Sequence, residues 1–298
     1  MELHSYPTVF NLEHRAIEGI LDGYVHVQEK IDGSQMSFCL DDDGTLLARS
    51  KRARLYPGAS GMFQAALDYL ESVKPRINGG LVYRAEYLQK PKHNVLSYSR
   101  VPKGYLVLFD IEYKGEDQAY VGYNLLEKEA GRLGIDVIPM FYEGEGMTSD
   151  ELTELLKSES ILGGTLIEGV VVKNYSQFTM EKKIAVAKVV ATEYKEVHSD
   201  EWRKANPTKA DIIEQLITQY ATPIRWQKAV QNMRDDGNLV NGPQDIGPLL
   251  VEINQDILKE EADTIKDVLF KHFWKQIGRG VTRGFPEWYK EQLSAAQP

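Results

Sequence analysis

Glu29-Lys30-Ile31-Asp32-Gly33-Ser34 is the stretch whose reading decides the fold. Upstream, Tyr24-Val25-His26-Val27 alternates like a half-buried strand; downstream, Met36-Ser37-Phe38-Cys39-Leu40 resumes the alternation. Asp-Gly between two such runs predicts a tight hairpin turn, because glycine adopts positive φ at no steric cost. A lysine one step before that turn is held at the mouth of a sheet. Taken alone, Lys-x-Asp-Gly recurs by chance, and an ordinary hairpin with a solvated lysine is its default explanation.

The chain has 298 residues, enough for two domains, with 42% hydrophobic and 27% charged residues, as in ordinary globular proteins. No apolar run approaches the roughly 18–20 residues of a membrane helix, and no signal-peptide layout opens the chain. Cys39 is the one cysteine, so an internal disulfide and a thiol-rich zinc site are excluded. The expected compartment is the cytoplasm, that of the host cell for a viral source. The net charge of −9 argues against nonspecific coating of nucleic acid but leaves room for a local basic groove.

Along the chain, Leu12–Leu21 is amphipathic, with Asn11 as N-cap and Gly23 as stop. Asp41-Asp42-Asp43-Gly44 is a solvated turn, and Arg49-Ser50-Lys51-Arg52-Ala53-Arg54 follows on an adjacent strand close enough to face the cleft of Lys30. Residues 61–73 and 121–134 have helical periodicity, and so does a segment near 149–158. Leu81–Leu88 and Tyr105–Tyr113 read as central strands carrying Glu86, Asp110 and Glu112. A buried carboxylate is costly unless paired or bound to a cation, so these favour a site over a bare core. Between them, Lys90–Asn94 is a basic loop long enough to be mobile. Thr165–Lys173 and Ile184–Val190 form a further strand pair. Beyond Lys195 helical periodicity takes over. Thr208–Asp211 resembles a capping box for a helix burying Ile212, Ile213, Leu216, Ile217 and Tyr220, and a long helix follows the loop at 235–248. A boundary at about 197–206 divides the chain into 1–200 and 201–298.

Six short motifs stand in order: Lys30-Ile31-Asp32-Gly33, Ser50-Lys51-Arg52, Tyr83-Arg84-Ala85-Glu86, Phe109-Asp110-Ile111, Glu168–Lys173 and Ala187-Lys188-Val189. Together they resemble the covalent nucleotidyltransferases, the superfamily of ATP-dependent ligases and mRNA capping enzymes. Because the chain continues as helices and not as a β-barrel, it is most similar to ATP-dependent RNA ligases of the RNA ligase 2 type. Tyr194-Lys195-Glu196 looks like that family's exit from the core. The resemblance implies an α+β fold: an ATP-grasp-like ligase core of antiparallel sheets with flanking helices, plus a small all-helical C-terminal domain. Two positions depart from the pattern. Gln35 stands where asparagine is common, and the second lysine of the last motif is replaced by Val190 (or Val186 in a shifted register), with Lys182 or Lys183 as substitutes.

The activity implied is ATP-dependent RNA ligation of 5′-phosphate and 3′-hydroxyl ends through a lysyl–AMP intermediate, with Mg²⁺ as metal and Mn²⁺ as an alternative. Lys30 is the implied nucleophile, with Lys188 and Glu168 beside it in catalysis. At a reference pKa near 10.4, only about one lysine in 2,500 is the free amine at pH 7. Neighbouring cations, placed here as Lys188 and Lys173, are expected to lower that pKa. Glu29, Ile31, Asp32 and Gly33 would frame the nucleotide, and Glu86 would contact the ribose or a metal-bound water. Phe109 would stack on adenine, and Arg52, or else Arg49, would contact ribose or phosphate. Glu168 and Glu86 are the implied metal ligands, while Asp110 and Glu112 stand behind the site.

In the C-terminal part, Lys271, Lys275, Arg279 and Arg283 recur every four residues among Phe273, Trp274 and Trp288. They form a candidate RNA-binding stripe, although Gly278, Gly280 and Gly284 oppose one continuous helix. The expected partner is nicked or duplex RNA, the expected state a monomer, and no membrane is involved. Two rivals stay open: a ligase of DNA or DNA–RNA hybrid ends, and a non-catalytic RNA-binding protein on a degenerate ligase core.

Overall fold

The computed structural model of the chain describes residues 3–58, 61–116, 118–191 and 212–295. Two sheets form among them. One runs in the order β1 (Phe10–Asn11), β11 (Ile184–Val190), β10 (Gly169–Phe178), β2 (Val25–Lys30), β9 (Met140–Gly144). The other runs β5 (Arg54–Leu55), β4 (Leu46–Ser50), β3 (Ser34–Leu40), β6 (Leu81–Tyr87), β7 (Leu106–Tyr113), β8 (Asp136–Val137). Pairing is antiparallel except for β1 with β11 and β7 with β8.

The expected hairpin is therefore corrected. Strands β2 and β3 do not pair; the chain leaves one sheet at Lys30 and enters the other at Ser34. Alternation then divides each strand between two surroundings. Val25 and Val27 pack with Val170, Val172, Ala185 and Ala187 on the outer face, where Ile17, Ile20 and Leu152 close the core. The opposite face of β2, with His26, Gln28 and Lys30, looks toward the second sheet. That sheet buries Phe38, Tyr83 and Leu108 beneath α1 (Gln64–Val73) and α2 (Tyr123–Leu133). Helix α3 (Ser149–Leu155) opens with a capping box from Thr148 and Glu151.

The amphipathic run 12–21 forms two short 3-10 turns, Arg15–Ile17 and Ile20–Asp22, not a helix. Gly19 between them takes φ +74°, a conformation that helical propagation cannot include. In the C-terminal region four helices follow: α4 (Ile212–Tyr220), α5 (Pro223–Asp235), α6 (Ile246–Val281) and α7 (Phe285–Ala295). In α4, Leu216 and Tyr220 are buried whereas Ile213 and Ile217 are exposed, contrary to expectation. Helix α6 continues through Gly278 and Gly280 and ends before Arg283, so only Gly284, at φ +86°, acts as a stop. The capping box at 208–211, Tyr194-Lys195-Glu196 and the boundary at 197–206 lie outside the described residues.

Two of the strand-borne carboxylates prove to be structural partners. Glu112 is bonded to the guanidinium of Arg84 at 3.1 and 2.9 Å, and Arg84, only 2% exposed, also donates to His4 O and Ser37 Oγ. Asp110 accepts from Lys173 Nζ at 3.0 Å, Tyr6 Oη at 2.8 Å and Tyr175 Oη at 3.1 Å. Breaking one member of such a buried pair strands the other's charge. Arg84→Ala is expected to destabilise the protein by about 3–5 kcal/mol. Urea unfolding checks it, and the Arg84→Ala/Glu112→Ala double variant should lose less than the sum of the single losses.

Candidate active site

The crossover from β2 to β3 places Lys30 in a cleft of about 1230 Å³ lined from both sheets. Register builds the first contact. Lys30 pairs with Gly169 across β2 and β10, so Glu168, the residue before that glycine, falls beside it. Lys30 Nζ stands 2.6 Å from Glu168 Oε2. Gly169 has no room for a side chain, since a Cβ there would lie 2.3 Å from Val189 O. From the second sheet, Gln35 of β3 pairs with Glu86 of β6 and brings that carboxylate under the turn.

Gly33 is needed for a reason other than the expected one. Its φ is not positive; instead, a Cβ would lie 2.7 Å from Glu86 Cγ and 2.8 Å from Tyr87 O. The turn packs directly on β6. Asp32 fastens it from the other side, its Oδ2 accepting the amides of Val95 and Leu96 at 2.7 Å each, while its own amide donates to Tyr98 Oη at 2.8 Å. Asn94 donates to Gly33 O at 3.0 Å, and buried His93 lies 3.1 Å from Ser34 Oγ. The basic loop, expected to be mobile, is thus bound to the lysine turn. Ile31 is buried with Leu88, Leu96, Tyr98 and Val107, against which Phe109 packs.

The electrostatics of Lys30 reverse the expected sign. Burial acts to lower its pKa, but the charges of Glu168, Asp32 and Glu86 outweigh it and raise the ammonium above its ordinary value. The cations expected to lower it are committed elsewhere. Lys173 is four residues beyond Gly169 on β10, about 13 Å along the strand, and donates to Phe109 O at 2.7 Å and to Asp110. Its Nζ lies 5.1 Å from the Phe109 ring, at the part of the cleft lining that Phe109 also borders. Lys188 of β11 faces the cleft and lies 3.4 Å from Glu260 of α6. Lys182 and Lys183 sit at the turn between β10 and β11, the opposite end of the strand from Lys188, and do not line the cleft.

Glu86 has no ion-pair partner among the described residues. Burial, reinforced by Glu168, Asp235 and Asp32 and partly offset by Lys30, pushes its carboxyl up to about 8. Glu29 accepts the amide of Ile161 at 3.1 Å, and its other oxygen is buried with no hydrogen-bond partner among the described residues. Among the described residues, no group of three or more His, Cys, Asp or Glu is placed to hold a metal ion. Arg52 lines the cleft, whereas Arg49 is spent on the backbone carbonyls of Leu3, Ser50 and Lys51.

The helical region also enters the cleft, which local sequence patterns did not foretell. Gln231 of α5 donates to Gly33 O at 2.9 Å. Arg52 is held by Glu252 at 2.7 Å and by Asp236 at 3.3 Å. Asp235 lines the cleft near Glu86, its carboxyl raised by burial to about 7. Lys271, Lys275 and Arg279 fall on the exposed distal part of α6, and exposed Arg283 follows in the turn; among these four only Lys271 borders the cleft.

Residues 23–190 match the family model for RNA ligase. No curated protein is significantly similar to the chain. Among solved structures, similar ones include three of Naegleria gruberi RNA ligase. A lysine mutant with ATP and Mn is 19% identical, covers 64% of this chain and 57% of that one, and has a TM-score of 0.48. The ligase with PPi is 18% identical with coverages of 64% and 57% and a TM-score of 0.48. An apo aspartate mutant is 18% identical with coverages of 64% and 56% and a TM-score of 0.49. The chain spans a little over half the length of these proteins.

A carboxyl whose folded pKa is raised binds its proton more tightly in the native state, so its stability contribution is lost as pH climbs through the folded value. Between the ordinary carboxylate range and about 8, Glu86 therefore weakens the ligand-free protein. Melting temperature should fall over that interval, and Glu86→Gln should remove part of the fall. Scanning calorimetry from pH 5 to 8 checks this, and an unchanged fall in Glu86→Gln would remove Glu86 as its source.

Proposed function

The chain belongs to the RNA ligase family, and on that premise we propose that it joins RNA 5′-phosphate and 3′-hydroxyl ends with ATP, through AMP carried on Lys30. The observation that carries this reading is the Lys30–Glu168 pair at 2.6 Å, set at the crossover between two sheets and open to a cleft large enough for a nucleotide and a strand end. An ordinary hairpin lysine would have neither the partner nor the cleft.

The first step forms a bond between Lys30 Nζ and the α-phosphorus as the bond to pyrophosphate breaks. In the second, an oxygen of the RNA 5′-phosphate attacks the same phosphorus, the P–N bond breaks and Lys30 recovers a proton. In the third, the 3′-hydroxyl attacks the 5′-phosphate and AMP leaves. Lys30 must be uncharged to attack, yet Glu168 holds it protonated in the ligand-free state. Substrate entry must therefore redistribute this charge before the first bond forms.

The residues fit a divalent ion of the Mg²⁺ type. Glu168 and Glu86 are hard oxygen donors, and Glu86 is a partly buried carboxyl without an ion-pair partner among the described residues. Two carboxylates without a third match an ion that keeps several waters and shares substrate oxygens. Such an ion, Mg²⁺ or Mn²⁺, would polarise the α-phosphate and draw Glu168 away from the lysine. Glu29 offers a buried acceptor oxygen suited to an amino group of the base, and Phe109 borders the same cleft. Asp32, whose carboxylate is taken by Val95 and Leu96, serves by holding the turn.

We assign residues 1–200 to nucleotidyl transfer and the helices after 201 to RNA, with Lys271, Lys275, Arg279 and Arg283 as phosphate contacts on an exposed surface beside Trp274 and Trp288. Incubation with α-labelled ATP and Mg²⁺, followed by denaturing electrophoresis, should label the protein. Lys30→Ala should abolish the label, and Glu168→Gln should reduce it at least about 100-fold, the scale of a lost charge-stabilising group. No label on the wild type, or equal label on Lys30→Ala, would remove the enzyme reading. Scoring nicked RNA, DNA and hybrid duplexes side by side tests the choice of RNA; sealing of all-DNA nicks alone would overturn it.

A further inference from the structure

Glu260 leaves the helical region and enters the cleft between two lysines of different origin. Lys188 Nζ, on β11 of the sheet core, lies 3.4 Å from Oε2, and Lys228 Nζ, on α5, lies 3.0 Å from Oε1. All three side chains are largely shielded, at 11%, 23% and 16% exposure for Lys188, Lys228 and Glu260. Lys51 lines the cleft close enough to feel all three charges. Two turns earlier on the same helix face, Glu252 holds Arg52, and one turn later Asp263 lies 2.6 Å from Arg15. One face of α6 thus lays a row of carboxylates on cations of the core.

An anion with its charge spread over two oxygens, bridged by ammonium groups from opposite sides, is the arrangement in which a phosphate is held. The packing of α5 on α6 has other ion pairs. Buried Arg225 is bonded to Asp256 at 2.6 Å and to Glu261 at 3.3 Å. Lys228 has Asp256 at 3.7 Å as a second partner. Glu260 is therefore not the sole fastening of its own helix.

We infer that the space between Lys188 and Lys228 is a phosphate site, and that the Glu260 carboxylate is its intramolecular occupant, displaced when a phosphate-bearing substrate enters. The inference rests on the nucleotidyl-transfer reading of the cleft and adds Lys228, from the helical region, as a phosphate contact. It also makes the ligand-free form a self-inhibited one. The phosphate could belong to the nucleotide or to the strand end; both present the same oxyanion.

The partners of one ion pair give the test its sign. If Glu260 and Lys228 merely hold the helices to the core, losing either acts in the same direction. If Glu260 competes with substrate, the two act oppositely. Binding to the full chain is measured by calorimetry with inorganic pyrophosphate, and with a short RNA carrying either a 5′-phosphate or a 5′-hydroxyl. Glu260→Gln should bind tighter by about 3–10-fold and Lys228→Ala weaker by about 10-fold or more, the scale of a charge-assisted hydrogen bond. Lys228→Arg should restore most of the loss.

A response to pyrophosphate assigns the site to the nucleotide, and a response confined to the 5′-phosphorylated strand assigns it to the RNA end. Same-direction or absent responses to every probe overturn the proposal. Hydrogen exchange on the wild type needs no variant to fold: backbone amides around Glu260 should exchange faster with pyrophosphate bound, and slower exchange would count against displacement. Lys30 labelling on the same proteins separates the two readings. Label without opposite-sign responses removes the phosphate site alone; opposite-sign responses without label remove the ligase reading alone.

Discussion

A lysine ammonium and a carboxylate 2.6 Å apart, at the point where the backbone passes from one sheet to another, set the terms for the rest of the core. Lys30 ends β2, and Glu168 precedes β10, so the pair exists only while Gly169 stays in register with Lys30. That register in turn needs Gly169 to lie 2.3 Å (from its would-be Cβ) beneath Val189 O, which admits no side chain. On the other sheet, Gly33 meets the same kind of limit against Tyr87 O. Two glycines, neither chosen for a left-handed backbone, bring three strands close enough for Lys30, Glu168 and Glu86 to share one cleft.

The strands were legible because alternation is a local property. Val25 and Val27 against His26 and Gln28, or the apolar runs of β6 and β7, declare a buried face without reference to any partner. What Asp32-Gly33 joins is not local. A hairpin and a sheet-to-sheet crossover carry the same Asp-Gly signal, and only pairing, which residues 140–144 and 169–173 decide for β2, tells them apart. The failed helix at 12–21 has a different cause: its amphipathic spacing is present, but Gly19 adopts φ +74° and splits it into two short turns.

Carboxylates in strong strands point to a site, and in the folded chain they divide by partner. Asp110 has Lys173 and two tyrosines, Glu112 has Arg84, and neither needs a ligand to account for its burial. Glu86 has no ion-pair partner among the described residues, and its carboxyl rises through burial and the nearby charges of Glu168, Asp235 and Asp32, which Lys30 offsets only in part. Lys173 shows the complementary case. Its strand position brings it to the cleft lining, but Asp110 on the opposing sheet holds its ammonium against Phe109 and away from Lys30. Neither partner can be inferred from the motif that contains the residue.

The net charge of −9 takes on a specific meaning in the folded chain. Part of the acidic excess lies on one face of α6, where Glu252, Glu260 and Asp263 cover Arg52, Lys188 and Arg15. A cation already paired with a carboxylate attracts phosphate less than its formal charge suggests, because the carboxylate must be resolvated or re-paired when phosphate replaces it. The same rule applies at Lys30, whose ammonium Glu168 helps to keep charged. Two of the core lysines that line the cleft, Lys30 and Lys188, therefore rest against an internal anion. On the proposed phosphate site, affinity for a polyanion would be set by the difference between two anions competing for the same ammonium groups, not by the number of lysines in the motifs.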